Sequence, residues 1–393
     1  MSSMMYQFKK NIVYFTQILI NLVCLFIRII PIKNNRIFIM SYHGKNLSGN
    51  PKYIATYILE NYPELQVIIG SYTPIDKFKT VKPDFYNPKY LYYMLTSKFW
   101  IDNCRKTFPI LKRRNQIYIQ TWHGTPLKKI EFDVEHALSE LYLSGAKLDS
   151  KMIDYFISPN QFVSDLIPDT FKFFGKILEC GYPRNDILIN LDEEKKNLIK
   201  QQLGLTLDKK IILYGPTFRD SHKNSTNFSN GLNIDFGKFC DYFGEEYILL
   251  LRLHSNVASD IKINQNYSHI IYDVSQYPDS QELLAITDLL ITDYSSLFFD
   301  FATTKRPMVF YAHDLKIYQD KLRGFYFDYE NFVPGPIVYN MDELFNVIKN
   351  EEKYYDFKYY HNLEVFCKRF TTFENGEASQ KISELIMNIY REG

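Results

Sequence analysis

The chain has 393 residues, with 46 Lys and Arg against 45 Asp and Glu, a net charge of +1, 46% hydrophobic residues and 23% charged residues. At roughly 100–200 residues per domain, this length predicts two domains, and the composition excludes a disordered chain, a collagen-like chain and a coiled coil. The balanced charge lacks the basic excess with which a protein neutralises phosphates along a nucleic acid, so no nucleic-acid partner is expected.

In chain order, the first feature is Ile12 to Ile27, an uncharged and largely apolar stretch interrupted by Gln17 and Asn21. It is shorter than the roughly 20 apolar residues that span a bilayer. Lys9 and Lys10 precede it, and Arg28, Lys33 and Arg36 follow. No small-residue cleavage pattern follows either, so a cleaved signal peptide is not expected. A helix with one apolar face and basic ends lies in the interface of an anionic membrane. Residues 1–34 are therefore read as a membrane-associating helical segment that holds the protein peripherally on the cytoplasmic side of the cell membrane. One short span and a buried core helix are the alternatives.

Beyond residue 35, short apolar runs alternate with amphipathic segments. Ile37–Met40, Val67–Ile69, Phe99–Ile101, Ile117–Ile119 and Tyr155–Ile157 read as buried strands, with helical spacing from Pro51 to Asn61. A second series comprises Ile211–Tyr214, Tyr247–Leu253, Ile270–Tyr272, Leu289–Ile291 and Met308–Tyr311, and the chain closes with a helical segment, Ala378 to Arg391. Such alternation predicts parallel sheets covered by helices on both faces. The fold class is α/β with two Rossmann-like domains, residues 35–190 and 191–393, joined through the polar stretch Asn190 to Lys210. There is no GxGxxG after a strand and no GxxxxGK[ST], so neither a dinucleotide fingerprint nor a P-loop is present, and no cofactor is predicted. Cys24, Cys104, Cys180, Cys240 and Cys367 stand singly, with no zinc-ligand spacing, so no metal site is predicted.

Ligands of parallel sheets sit beyond the carboxyl ends of the strands, which directs attention to five loops. Gln120-Thr121-Trp122-His123-Gly124-Thr125-Pro126-Leu127-Lys128 puts His123 at a strand end beside a glycine. Imidazole is the natural general base for a hydroxyl nucleophile, the alternative being a hydrogen-bonded structural histidine. Arg252-Leu253-His254 closes another strand, and alternation sets Arg252 and His254 on one side, suited to a diphosphate; the alternative is an arginine paired with a carboxylate. In Thr292-Asp293-Tyr294-Ser295-Ser296, a helix start near Ser295 offers N–H groups and two hydroxyls to a phosphate, with Asp300 about one turn further on; helix capping by Ser295 is compatible with that use. Tyr214-Gly215-Pro216-Thr217-Phe218-Arg219-Asp220 and Gly181-Tyr182-Pro183-Arg184-Asn185-Asp186 each place an arginine in a turn, where a solvated side chain is the plain alternative.

Taken in order, these motifs resemble the CDP-glycerol glycerophosphotransferase family of teichoic acid and capsule synthesis. Ser41-Tyr42-His43-Gly44-Lys45, Asn50-Pro51-Lys52, Arg323-Gly324-Phe325-Tyr326-Phe327-Asp328 and Pro334-Gly335-Pro336 belong to the same ordered set, which runs from about residue 36 to about residue 375. The resemblance implies a GT-B-like fold, two Rossmann-like domains facing a central cleft, with the acceptor side N-terminal and the CDP-alcohol side C-terminal. It implies transfer of glycerol phosphate from CDP-glycerol to a hydroxyl of a lipid-linked saccharide or a growing glycerol phosphate chain, with CMP leaving. It also implies that His123 and His254 are the essential pair. Substrate contacts carry over to Gly124, Thr125, Pro126, Leu127, Arg184, Pro216, Thr217, Arg252, Leu253, Ser295, Ser296 and Asp300. Ser255-Asn256 departs from the pattern after His254, and the chain length is closer to that of enzymes that add one or a few units, a short primase-like member. The rival readings are a CDP-ribitol transferase, a GT-B nucleotide-sugar glycosyltransferase, and a membrane-bound scaffold without activity.

Overall fold

In the computed structural model, residues 3–106, 110–217, 234–253, 263–316 and 324–392 are described. The apolar runs become strands of a seven-stranded and a six-stranded sheet. The first contains β1 (Lys33–Met40), β2 (Gln66–Gly70), β3 (Lys79–Val81), β4 (Ser97–Asp102), β5 (Ile117–Gln120), β6 (Tyr155–Ser158) and β7 (Lys176–Glu179). The second contains β8 (Lys210–Gly215), β9 (Tyr247–Leu251), β10 (Ile271–Asp273), β11 (Leu289–Thr292), β12 (Met308–Tyr311) and β13 (Ile337–Val338).

Every named strand pair is parallel. The strand orders are β3-β2-β1-β4-β5-β6-β7 and β10-β9-β8-β11-β12-β13. Each thus reverses direction next to its first strand, between β1 and β4 and between β8 and β11. The crevice beyond the carboxyl ends at that reversal is where doubly wound sheets bind ligands. The central strands carry β-branched and aromatic residues on both faces because helices cover both. In the first sheet Ile37 and Ile39 point to one core, with Ile54, Ile58 and Ile119, while Phe38 and Met40 point to the other, with Trp100, Tyr118 and Phe156.

The chain divides into two compact units: 1–123 with 130–186 and 373–393, and 124–129 with 187–372. This differs from a second domain running to the C-terminus. The terminal helix Ala378–Glu392 packs on α2 (Gly49–Asn61) of the first unit, with Ile382, Ile386 and Met387 in the cluster that holds Ile54 and Ile58. Its start is anchored by Asp186, whose carboxylate accepts from the Ala378 and Ser379 N–H groups at 3.0 and 2.8 Å. A carboxylate on those orphan N–H groups is the expected partner of a helix N-terminus.

The N-terminal segment is α1 (Ser3–Ile27). Among the described residues no helix is long and apolar enough to cross a membrane. Nor is α1 apart from the core: Cys24 is fully buried in the cluster with Tyr90, Leu91 and Met94 of α3 (Pro88–Thr96), and Ile20 and Ile27 pack against it. The other side of the helix leaves Phe15, Leu22, Val23, Leu25 and Phe26 exposed, Phe26 at 76%, and Ile29 beyond its end is 81% exposed.

Candidate active site

In the first unit, β5 ends at Gln120 and the chain turns sharply. Trp122 has φ +49, the left-handed region that costs an L-residue roughly 1–2 kcal/mol. That turn brings His123 beside the end of β4. The His123 imidazole lies 2.8 Å from the Asn103 carbonyl through Nδ1. A carbonyl only accepts, so Nδ1 carries the proton and Nε2 keeps its lone pair. The ring stacks on Trp122 at 4.1 Å between centroids and 29° between planes. Burial above all, with the Arg184 and His43 charges and against the opposing Asn103 hydrogen bond, lowers the His123 pKa to about 4. The imidazole is therefore neutral at pH 7, the form that accepts a proton.

Arg184 is buried in the turn after Gly181 and donates from Nη1 to the His123 carbonyl at 2.7 Å. Its neighbours in that motif do other work. Asn185 donates to Glu374 at 2.8 Å, the Tyr182 N–H donates to the same carboxylate, and Asp186 caps the terminal helix. Gly181, at φ +88, is required here, since a Cβ would stand 2.9 Å from the Phe373 carbonyl. Below the site lies a buried ionic cluster. Arg105 bonds Glu131 at 3.0 Å and Asp149 at 3.4 Å, and Lys106 bonds Asp102 at 2.7 Å.

In the second unit, Gly124, Thr125, Pro126 and Leu127 are buried, and the strand-like pairing continues from them: Tyr326 N–H donates to the Leu127 carbonyl and Lys129 N–H to the Gly324 carbonyl, each at 3.0 Å. At the reversal between β8 and β11, Pro216 and Thr217 are half-buried, and the Thr217 N–H donates to the Asp293 carboxylate at 2.8 Å. The Thr292 hydroxyl donates to the Gly215 carbonyl at 2.8 Å. The helix starts at Leu297, two residues after Ser295 and with Ser296 at its N-cap, and is only five residues long. Asp300, in that helix, is buried and accepts from Gln281 at 3.1 Å. Arg252 commits Nη1 to three backbone carbonyls, those of Val274, Ser275 and Tyr277, at 2.8, 2.9 and 2.6 Å. Leu253 is buried, with its N–H on the Ser275 hydroxyl at 2.9 Å. Together they clamp the 274–277 loop.

Ser295 and Ser296 are half-buried at the carboxyl end of β11. The Ser295 hydroxyl accepts weakly from the Leu297 N–H at 3.4 Å, and Ser296, at the helix cap, makes no side-chain capping bond. Among the described residues no group of three or more His, Cys, Asp or Glu side chains is arranged to hold a metal ion. The five cysteines are unpaired, and burial pushes the Cys104 and Cys180 thiols up to about 12.

With that geometry in view, residues 22–388 match the family described as CDP-glycerol:poly(glycerophosphate) glycerophosphotransferase. The chain belongs to this family. It is 36% identical over 394 residues to the teichoic acid poly(glycerol phosphate) polymerase of Bacillus spizizenii, covering 96% of this chain and 99% of that one. It is 38% identical over 365 residues to the teichoic acid glycerol-phosphate transferase of Staphylococcus aureus, covering 90% and 92%. A solved structure of the wall teichoic acid polymerase TagF, a variant with CDPG, superposes with a TM-score of 0.87 at 34% identity, covering 99% of this chain and 98% of that one. Because the B. spizizenii relative of matching length is named a polymerase, length does not separate this glycerophosphotransferase from enzymes that add many units.

Of the residues singled out in the glycerophosphotransferase sequence, His123 and Arg184 come together in the first unit, and Pro216, Thr217, Ser295 and Ser296 occupy the β8 and β11 ends of the second. His254, Phe218, Arg219, Asp220 and Arg323 lie outside the described residues. Sequence reasoning missed the Asn103 carbonyl that sets the His123 tautomer, the left-handed Trp122, and Asp293 as the holder of Thr217. None has a sequence signal beyond its position at a strand end.

Proposed function

We propose that this chain, as a glycerophosphotransferase of teichoic acid synthesis, moves glycerol phosphate from CDP-glycerol to a hydroxyl of a lipid-linked saccharide or of a growing glycerol phosphate chain. The acceptor oxygen attacks the β-phosphorus. The bond from that phosphorus to the bridging oxygen breaks, CMP leaves with the oxygen, and the hydroxyl proton passes to Nε2 of His123. The observation that supports this most directly is the state of His123: neutral at pH 7, with Nδ1 occupied by a carbonyl and Nε2 left to take a proton. Arg184 next to it supplies positive charge for the transferring group, and the Ser295-Ser296 turn supplies hydroxyl and N–H donors for the diphosphate. The helix after that turn is too short for a large dipole, so its contribution is local hydrogen bonding. His254 is assigned to the donor phosphates, and Arg252 to holding the 274–277 loop.

The finer architecture belongs to the same proposal: a GT-B-type pair, acceptor on the first unit and donor on the second, with no cofactor. So does location. The exposed apolar side of α1, between basic residues, suits the cytoplasmic face of an anionic membrane. The test is CMP release by the purified chain from CDP-glycerol, CDP-ribitol and, as sugar donors, UDP-sugars, with a synthetic lipid-linked disaccharide as acceptor. CMP release from CDP-glycerol well above the others is expected. Preference for CDP-ribitol would change the donor, and UDP-sugar turnover would overturn the reading.

A further inference from the structure

Asn50, in the first turn of α2, is fully buried. Its side chain touches backbone from two distant loops. Nδ2 donates to the Thr121 carbonyl at 3.1 Å and to the Trp122 carbonyl at 3.2 Å. Oδ1 accepts from the Arg184 N–H at 3.2 Å. Both N–H donors and the oxygen of one amide are thereby used, a set that neither a carboxylate nor a hydroxyl can reproduce.

These contacts surround the left-handed Trp122. Its N–H is held by the Gln120 side-chain oxygen at 2.9 Å, and its carbonyl by Asn50 and by the Thr121 hydroxyl at 3.1 Å. A residue in that conformation persists only where its surroundings over-determine it. The next residue is His123, whose carbonyl takes the Arg184 guanidinium, and the Arg184 N–H returns to Asn50. The ring of contacts is closed: Asn50, Trp122, His123, Arg184, Asn50.

We propose that Asn50 is a positioning residue for the transfer reaction, fixing the His123 imidazole and the Arg184 guanidinium in one arrangement through their backbones. This rests on the assignment of His123 as the base. Asn50 touches no reacting atom; it acts through the loop that carries one.

The test is a double-mutant comparison in the full chain: wild type, Asn50→Asp, His123→Ala and the double variant. Each is checked by thermal unfolding, by calorimetric CDP-glycerol affinity and by single-turnover CMP release. Asn50→Asp places a carboxylate against two carbonyls and keeps the acceptor for Arg184. It should fold, bind CDP-glycerol within about threefold of wild type, and lose roughly 10²-fold in the single-turnover rate, the scale of a displaced catalytic group. In the His123→Ala background the same change should cost less than about threefold, because groups that act as a unit are not additive. Asn50→Ser, which keeps one donor, repeats the comparison if Asn50→Asp does not fold. A full additive loss in the double variant, near-normal turnover of folded Asn50→Asp, or failure of both Asn50 variants to fold would each overturn the positioning role alone. Normal turnover of His123→Ala would overturn the base assignment and this inference with it.

Discussion

Lowering the pH from 7.5 to 5.5 should leave the His123 imidazole neutral. An ordinary histidine with a pKa of about 6.5 would be about 90% protonated at pH 5.5. His123, with a pKa of about 4, would be about 3% protonated at that pH. The cause is first burial, which disfavours the charged ring, then the Arg184 and His43 charges, against the Asn103 hydrogen bond that favours it. The sign follows. The unfolded chain binds this proton more tightly, so the stability His123 contributes is complete above about pH 6.5 and is lost as the pH falls toward 4. Long-range proton–nitrogen NMR on the protein labelled at its 8 histidines, with His123 assigned by comparison with His123→Gln, reads both midpoint and tautomer. The expected spectrum has the proton on Nδ1 and a midpoint near 4. CDP-glycerol should raise the midpoint, because an anion favours the charged ring, and Arg184→Gln should raise it by removing a like charge. A midpoint near 6.5, or a proton on Nε2, would refute this reasoning.

Arg105→Met removes the partner of two buried carboxylates, Glu131 and Asp149, and should cost about 3–5 kcal/mol in urea unfolding, with Glu131→Gln and Asp149→Asn together restoring most of it. Burial raises Asp149 to about 6, above its unfolded value, so any stability gained by Asp149→Asn should grow as pH rises from about 4 to 6 and level off above that. Ser295→Ala with Ser296→Ala should weaken CDP-glycerol binding by about 10-fold or more while leaving the melting temperature nearly unchanged; unchanged affinity would leave these serines a local turn role only. Phe15→Ser with Phe26→Ser, both on the exposed side of α1, should abolish co-sedimentation with anionic vesicles while leaving CMP release to a water-soluble acceptor intact, and retained vesicle binding would contradict the membrane reading.

The central strands were legible because each is a short apolar run buried on both faces, as at Ile37–Met40 and Leu289–Ile291. The missed strands β3, β7 and β13 are all sheet edges. Lys79–Val81 and Lys176–Glu179 carry charges, and Ile337–Val338 is two residues long, the composition an edge needs to avoid further pairing. Nothing in chain order revealed that Ala378–Glu392 returns to the first unit, since the signal is the Asp186 carboxylate at its start. His123 and Arg184 stood out as polar residues in strand-end loops. For Arg252, alternation gives the side of a strand and not the partners, here three carbonyls of the next loop. Asn50 was visible as part of a motif, but its work lies in hydrogen bonds to positions 71, 72 and 134 residues away.

The most direct test of the transfer chemistry is single-turnover CMP release from CDP-glycerol by His123→Ala beside the wild-type chain, with donor affinity measured on the same samples. The assignment predicts CMP release by the wild type, a loss of about 10²–10⁴-fold in the variant, and a donor affinity that stays close to wild type. Normal turnover by His123→Ala would contradict it, and loss of CDP-glycerol binding in that variant would make His123 a donor contact and place the base elsewhere.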